Sequence, residues 1–263
     1  MRRIGPIFWP ILLIAVGVLF LLSNMGMLPF SPWQFWKLWP LILVVIGLDI
    51  LLEISLGRGR AGGESLSIDR DTLAEAEVSF EFGAGELNVA AGAGPGKLLE
   101  GEFTDDVEYQ LRDQRLKVSS RPDWWGWWGW RHGHRWDARL TGDIPLKLRF
   151  QVGACQSNLD LSDLKVADLL LESGAADTRV RTPREAGMTR ARIKAGAASV
   201  KLSVPEGVAA RITATMAIGS FDIDTRRFPR SAAASSYESP DYATATNKLD
   251  LSIEGGVGSV TVS

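Results

Sequence analysis

GAASVKL at residues 196–202 is one copy of a short motif that recurs along the second half of this chain. Three successive copies begin at Gly174, Gly196 and Ala217, at almost equal intervals. A fixed period of this kind is the signature of a repeat architecture. The other copies are GAGELNV (83–89), GAADTRV (174–180), GVGSVTV (256–262), the variant AIGSFDI (217–223) and a looser copy that starts at Gly153.

Each copy combines a corner with the start of a strand. The small residues suit a tight corner where one backbone approaches another. Val200 and Leu202 then flank the polar Lys201, an alternation typical of a strand with one buried face. The sequence therefore predicts an all-β repeat domain over 65–263, either a β-solenoid or a pair of stacked, repeat-built sheets. The competing interpretation is that the motifs are hairpin turns of an ordinary β-sandwich.

Two long intervals interrupt the repeat, and we expect loop insertions there, at 121–137 and 226–247. The first insertion holds six of the ten tryptophans. Tryptophan together with arginine suits a membrane interface or the centre of a protein contact. In the alternative, this loop folds back and caps an open end of the solenoid. The candidate contact residues are Trp124, Trp125, Trp127, Trp128, Trp130, Arg131, Arg135 and Trp136.

The N-terminal segment 1–57 predicts a transmembrane helical hairpin, with spans at about 5–23 and 36–54 and a linker at 58–64. The uncharged run from Ile4 to Leu22 is long enough to cross a hydrocarbon core of about 30 Å. A cleaved signal peptide is the competing interpretation of this run. No small-x-small cleavage site follows Leu22 and a second apolar run comes soon after, so we favour a retained hairpin.

Basic residues predict the orientation of this hairpin. Arg2 and Arg3 precede the first span, and Arg58 and Arg60 follow the second. Cytoplasmic flanks carry the excess of Lys and Arg, so we expect both termini and the β domain in the cytoplasm of a bacterial cell.

The second span contains two carboxylates one helical turn apart, Asp49 and Glu53. Acidic side chains inside a membrane usually pair or mark function, so both are candidates for a polar contact with a partner's transmembrane helix. In the alternative, both carboxylates reach the inner interface near the flanking arginines.

Enzyme chemistry has little support in this sequence. The only two histidines, His132 and His134, lie in one predicted loop, which favours solvated side chains over a metal site. We expect no catalytic residues, no metal and no cofactor. A net charge of −2 gives no general attraction to nucleic acid. Acid pairs on a solenoid can cleave glycans, but four aspartates in the repeats are typical of solvated strand faces: Asp160, Asp163, Asp222 and Asp224.

WPILLIAVGVLFLL at 9–22 resembles the first transmembrane helix of LiaI/LiaF-like bacterial membrane proteins, and LWPLILVVIGL at 38–48 resembles the second. The Gly-Ala repeats, with LDLSDL at 159–164 between them, are similar to the toastrack β domain found behind such hairpins. The resemblance implies a protein of the cell-envelope stress or cell-wall-antibiotic response. LiaF-type members restrain a membrane histidine kinase.

Together these observations predict a non-enzymatic regulator or scaffold anchored in the membrane. Its expected partners are membrane lipid and a membrane protein, such as the sensor kinase of a two-component system. The alternative is a structural β-solenoid module that self-associates or binds lipid through its open ends.

Overall fold

The computed structural model describes residues 64–104, 107–120, 134–231 and 236–263. The chain divides into two units between Ala61 and Gly62, and every described residue belongs to the second unit, Gly62–Ser263. The predicted hairpin, with Asp49 and Glu53, lies outside the described residues. Within the described ranges, no helix combines the length and the apolar character needed to cross a bilayer.

The described residues form one sheet of 13 strands. The strands are β1 (Glu64–Asp69), β2 (Ala76–Ala91), β3 (Lys97–Phe103), β4 (Val107–Arg112), β5 (Arg115–Ser120), β6 (Arg135–Leu140), β7 (Leu146–Asp160), β8 (Val166–Ser173), β9 (Asp177–Arg181), β10 (Met188–Ser203), β11 (Ala209–Ile223), β12 (Ser236–Glu238) and β13 (Lys248–Val262).

Parallel pairing dominates the centre of this sheet. The order is β2, β7, β10, β13 and β11, with β8 and β9 sharing one place between β7 and β10. In the same way, β5 and β6 share the place beside β2, each pairing in parallel with one half of it. Antiparallel strands complete the sheet, with β3 and β1 beyond β6, β4 beside β5, and β12 beside β11. The domain is therefore all-β and repeat-built, as predicted.

The Gly-Ala motifs lie inside long strands. They are not turns that join separate strands. The strands β2, β7, β10, β11 and β13 are each 15 or 16 residues long and run through their motif without a break. Only the copy at 174–180 divides its strand, into β8 and β9. Small residues let the backbone change direction while the parallel ladder continues on both sides.

Alternating burial places a single hydrophobic core on the inner face of this bent sheet. Along β7, Leu146, Leu148 and Phe150 are fully buried, while the residues between them are exposed. Phe150 stacks on Phe80 of β2 with ring centroids 5.3 Å apart. Residues on both sides of the corner motifs join the same cluster, so one core supports both halves of each long strand.

The structure corrects both predicted loop boundaries. The sequence predicts a loop over 121–137, but the last residues of that segment belong to β6 (Arg135–Leu140). The segment 226–247 contains β12 (Ser236–Glu238), which pairs with β11, and it buries Phe228 and Tyr242. Apolar side chains at alternate positions of β6 explain the first difference, because they have a core face to fill.

Candidate interaction surface

Equivalent motif positions line up across the sheet at the bend. The flanking pairs Phe82–Val152, Ala195–Gly255 and Met216–Gly255 fix this register between neighbouring strands. The first motif position then forms a line of small residues, here named the corner row. Its members are Gly83, Gly153, Gly174, Gly196, Gly256 and Ala217.

Most glycines of the corner row are required by the backbone of the neighbouring strand. A Cβ on Gly153 would lie 2.3 Å from the carbonyl oxygen of Gly83. A Cβ on Gly196 would lie 2.8 Å from the carbonyl oxygen of Gly174, and one on Gly256 would lie 2.8 Å from that of Gly196. Real Cβ atoms do not approach oxygen this closely, so the repeat selects glycine here for packing between strands.

A groove of about 1150 Å³ runs over the corner row. The side chains two positions before each member of the corner row line one side of the groove, here named the polar bank. They are Glu81, Gln151, Glu172, Lys194, Glu254 and Thr215. Lys117 Nζ lies 2.7 Å from Glu81 Oε1, and Lys194 Nζ lies 3.3 Å from Glu172 Oε1. These charges partly neutralise one another, and the described residues contain no group of His, Cys, Asp or Glu that could hold a metal ion.

The second motif position forms an exposed apolar line, here named the ridge. All six of its side chains are solvent-exposed, and the two largest are Val257, which is 55% exposed, and Ile218, which is 68% exposed. Two adjacent residues point outward because the strand turns around the core at this point. The ridge consists of Ala84, Ala154, Ala175, Ala197, Val257 and Ile218.

The tryptophan-rich insertion leaves the sheet at this same corner. Ser119 pairs with Glu81 just before the bend of β2, and Arg135 pairs with Glu86 just after it. The backbone N–H of Glu86 also donates to the carbonyl of His134 at 2.7 Å. The chain therefore leaves the sheet and rejoins it where the neighbouring strands carry their Gly-Ala corner.

One predicted contact residue is corrected by the structure. Trp136 is fully buried, with its ring centroid 4.9 Å from that of Phe82 and 5.2 Å from that of Phe103. It belongs to the core and cannot contact a membrane or a partner. The residues Trp124, Trp125, Trp127, Trp128, Trp130 and Arg131 lie outside the described residues, so their role stays a prediction.

Arg135 remains accessible, with a side chain that is 55% exposed and forms an ion pair with Glu86. Hydrogen bonds from Asn88 and Arg135 hold the pKa of the Glu86 carboxyl below its usual range. The carboxylate is therefore firmly ionised at neutral pH, and its role is to fix Arg135 beside the insertion.

Three of the four aspartates considered for glycan cleavage lie in ordinary ion pairs: Asp160, Asp163 and Asp224. Asp160 accepts from Arg181 at 2.6 Å, and Asp163 lies 3.2 Å from Arg184. Burial by itself would raise the pKa of Asp160, but hydrogen bonds from the Ser162 hydroxyl and backbone, together with Arg181, lower it overall. A general acid needs the opposite shift.

The lone cysteine lies on the inner side of the bend. Cys155 is buried, and burial raises the pKa of its thiol, although a contact with the Ser157 hydroxyl at 3.1 Å opposes the shift. A buried thiol with a raised pKa is a poor nucleophile.

Two family models match the chain. The LiaI-LiaF-like transmembrane region matches residues 7–51, and the N-terminal domain of toast_rack matches residues 57–203. The chain has no match among curated proteins.

Among solved structures, a proposed cell adhesion protein from Clostridium sporogenes is 18% identical with a TM-score of 0.63. The match covers 76% of this chain and 97% of that one. A proposed adhesin from Parabacteroides distasonis is 11% identical with a TM-score of 0.30, over 78% and 98% of the two chains. Because its sequence identity is so low, the first similarity shows a shared fold alone.

Proposed function

This chain belongs to the toast_rack family and carries a LiaI-LiaF-like membrane region, and we propose that it is a non-enzymatic regulator or scaffold of the bacterial cell-envelope stress response. Its β domain binds a membrane protein, with a sensor histidine kinase as the leading candidate. The observation that carries the proposal is the combination of a LiaI-LiaF-like membrane region with a repeat-built toast_rack domain in one chain.

The chemistry of the described residues supports a binding role. Asp160 at the end of β7 is ion-paired, the thiol is buried, and the polar bank of the groove combines charges of both signs. A surface of this kind offers shape and area to a partner, and it offers no matched acid and base to a substrate.

The proposed topology has two spans with both termini and the β domain in the cytoplasm. Ser65 of β1 is an exposed site for a topology probe. In a Ser65→Cys variant, a membrane-impermeant maleimide should label the chain only after the cells are permeabilised. The native Cys155 does not compete while the domain is folded, because its thiol is buried. Labelling from outside intact cells would overturn the cytoplasmic assignment.

Partner binding is tested by crosslinking the full chain in native membranes and identifying the products by mass spectrometry. We expect a crosslink to a sensor kinase that is lost in Asp49→Leu and kept in the matched control Leu48→Ala. A heterologous crosslink that is unchanged in Asp49→Leu would remove the intramembrane contact. An envelope-stress reporter that is unaffected by deletion of the gene would count against regulation.

A second candidate function is self-association through β11. β13 pairs with β11 along its whole length, whereas β12 covers only Arg211, Ile212 and Thr213 on the other side within the described residues. An open strand edge is a template for another strand. Ser220→Lys places a charge on this edge and should lower the molecular mass in nanodiscs, measured by light scattering. An unchanged mass would exclude β11 as the assembly edge.

A further inference from the structure

The ridge is an uninterrupted apolar line across six adjacent strand positions. At about 4.8 Å between strands, the distance from Ala84 to Ile218 is roughly 24 Å. No polar side chain occurs among its members or in the corner row beside it. Contiguous exposed apolar surface marks a candidate interaction site on a protein, and the ridge is such a surface.

The chain enters the β domain at Glu64, the first residue of β1, and this entry point lies close to the ridge along the strand direction. Glu64 pairs with Phe103, Phe103 pairs with Trp136, and Trp136 pairs with Leu87. Leu87 follows Ala84 by three positions, so the entry point lies only about 10 Å along the strand direction from the ridge.

A short linker limits the distance between this entry point and the membrane. The matched transmembrane region ends at 51 and β1 begins at Glu64, which leaves only the segment 52–63 between them. Fully extended, a segment of this length reaches about 40 Å. A linker of this length allows the entry level to lie at the bilayer surface. Glu206 lies in the turn after β10, at the opposite ends of the strands.

The chain leaves the sheet for the insertion at the same level. It leaves the sheet after Ser120 and returns at His134, and the segment between them, 121–133, contains five tryptophans. Tryptophan is enriched at the membrane–water interface. Two independent sequence features, the tether and the tryptophans, thus converge on the edge of the sheet that carries the ridge.

We propose that the ridge is a membrane-contact surface that rests on the lipid bilayer. The polar bank beside it contains Glu81, Glu172 and Glu254 against Lys194, so it offers no basic patch to anionic headgroups. Contact is therefore apolar and shallow, at the boundary between headgroups and acyl chains, with Val257 and Ile218 the deepest side chains. This contact does not depend on which protein partner the domain binds.

The experiment uses the full chain in phosphatidylcholine vesicles with a fixed fraction of doxyl-labelled lipid. An environment-sensitive fluorophore is attached in turn to Ala197→Cys, Ile218→Cys and the control Glu206→Cys, all at exposed positions. A label at the headgroup–acyl boundary, about 5–10 Å deep, should lose about half of its fluorescence to the doxyl lipid. We expect this loss at 197 and 218, no loss at 206, and no dependence on added anionic lipid.

Other results identify other occupants and overturn the proposal. Labels at 197 and 218 that escape doxyl quenching but are shielded from aqueous iodide, with crosslinks between copies, indicate a second copy of this chain. The same shielding without self-crosslinks indicates a protein partner, and full access to iodide indicates no contact. A labelling ratio of one fluorophore per chain verifies folding, because Cys155 reacts only after unfolding. Kinase crosslinking is measured separately, so failure here leaves the proposed regulatory function intact.

Discussion

Two corners of one sheet are built differently. Between β8 and β9 the chain turns with Gly174 and Ala175, whose backbone N–H groups donate to the carbonyls of Val152 and Gly153. At the equivalent place between β5 and β6, the chain leaves the sheet after Ser120 and returns at Arg135. The first corner packs strand against strand, and a Cβ on Gly174 would lie 3.1 Å from the carbonyl oxygen of Gly153. The second releases the chain from the sheet, so the repeat defines a line from which a longer segment can project.

The strand that resumes after the insertion anchors it to the core, and Trp136 is the main anchor. Trp136→Ala should lower the free energy of unfolding by about 3–5 kcal/mol, because it empties a fully buried site between Phe82 and Phe103. The measurement is denaturant-induced exposure of the Cys155 thiol in the full chain, which reports unfolding of this domain alone.

Arg135→Ala is the matched control, since it is the neighbouring residue on the same strand and an expected contact residue as well. Its ion pair with Glu86 is exposed, so the loss should stay below about 1 kcal/mol. Equal effects of the two substitutions would contradict the assignment of Trp136 to the core.

Sequence reasoning identifies the all-β repeat but not this anchor, and the reason is local. The segment RWDARL at 135–140 alternates in and out of the core, with Trp136, Ala138 and Leu140 buried. That alternation is a strand signal that the sequence already contains. However, Trp136 follows a run of tryptophans and glycines that predicts a loop. The sequence therefore assigns Trp136 to that loop, although it belongs to the strand.

The sequence does not predict the strand order either, and the reason is different. β13 lies between β10 and β11, so the last strand of the chain separates two strands that follow each other directly. Each motif copy has the same alternation of apolar and polar residues and the same small residues at the corner. Every copy could therefore pair with every other copy. The non-local pairing depends on the connections, such as the segment 224–247 with its buried Phe228 and Tyr242. The ridge is missed because each of its members, taken alone, is an ordinary small or apolar residue in a corner.

The comparison of corners predicts opposite outcomes for two glycines in one row. Gly153→Ala should lower the free energy of unfolding by about 1–3 kcal/mol, since its Cβ would lie 2.3 Å from the carbonyl oxygen of Gly83. Gly83→Ala should be neutral or stabilising by up to about 1 kcal/mol, because no described atom lies within 4 Å of its Cβ position. Both variants are measured by Cys155 exposure in denaturant.

Gly83 also tests the alternative role of the insertion. If residues 121–133 folded back as a cap over the end of the corner row, a methyl group on Gly83 would meet them. Destabilisation by Gly83→Ala comparable with that of Gly153→Ala would favour the cap, and it would weaken the case for an insertion that projects to a membrane or partner.

The strand ends far from the corner should be the least sensitive part of the domain, and Asp160 at the end of β7 provides the test. Its carboxylate accepts from the Ser162 hydroxyl at 2.6 Å and from Arg181 at 2.6 Å, but it is more than a third exposed. Solvent screening limits the loss in Asp160→Asn to less than about 1 kcal/mol at neutral pH. Asp163→Asn is the control, since Asp163 is more exposed and pairs only with Arg184 among the interactions described for it.

The pH dependence of this difference has a definite sign. The pKa of Asp160 is lowered in the folded domain, so its carboxylate stabilises the fold above the unfolded pKa of about 3.9 and loses that contribution as the pH falls through the folded pKa. The stability gap between the native chain and Asp160→Asn should therefore be full at a pH of about 6 and shrink below a pH of about 4. A gap that widened on acidification would mean that the folded-state pKa is raised, and Asp160 would then be a candidate acid after all.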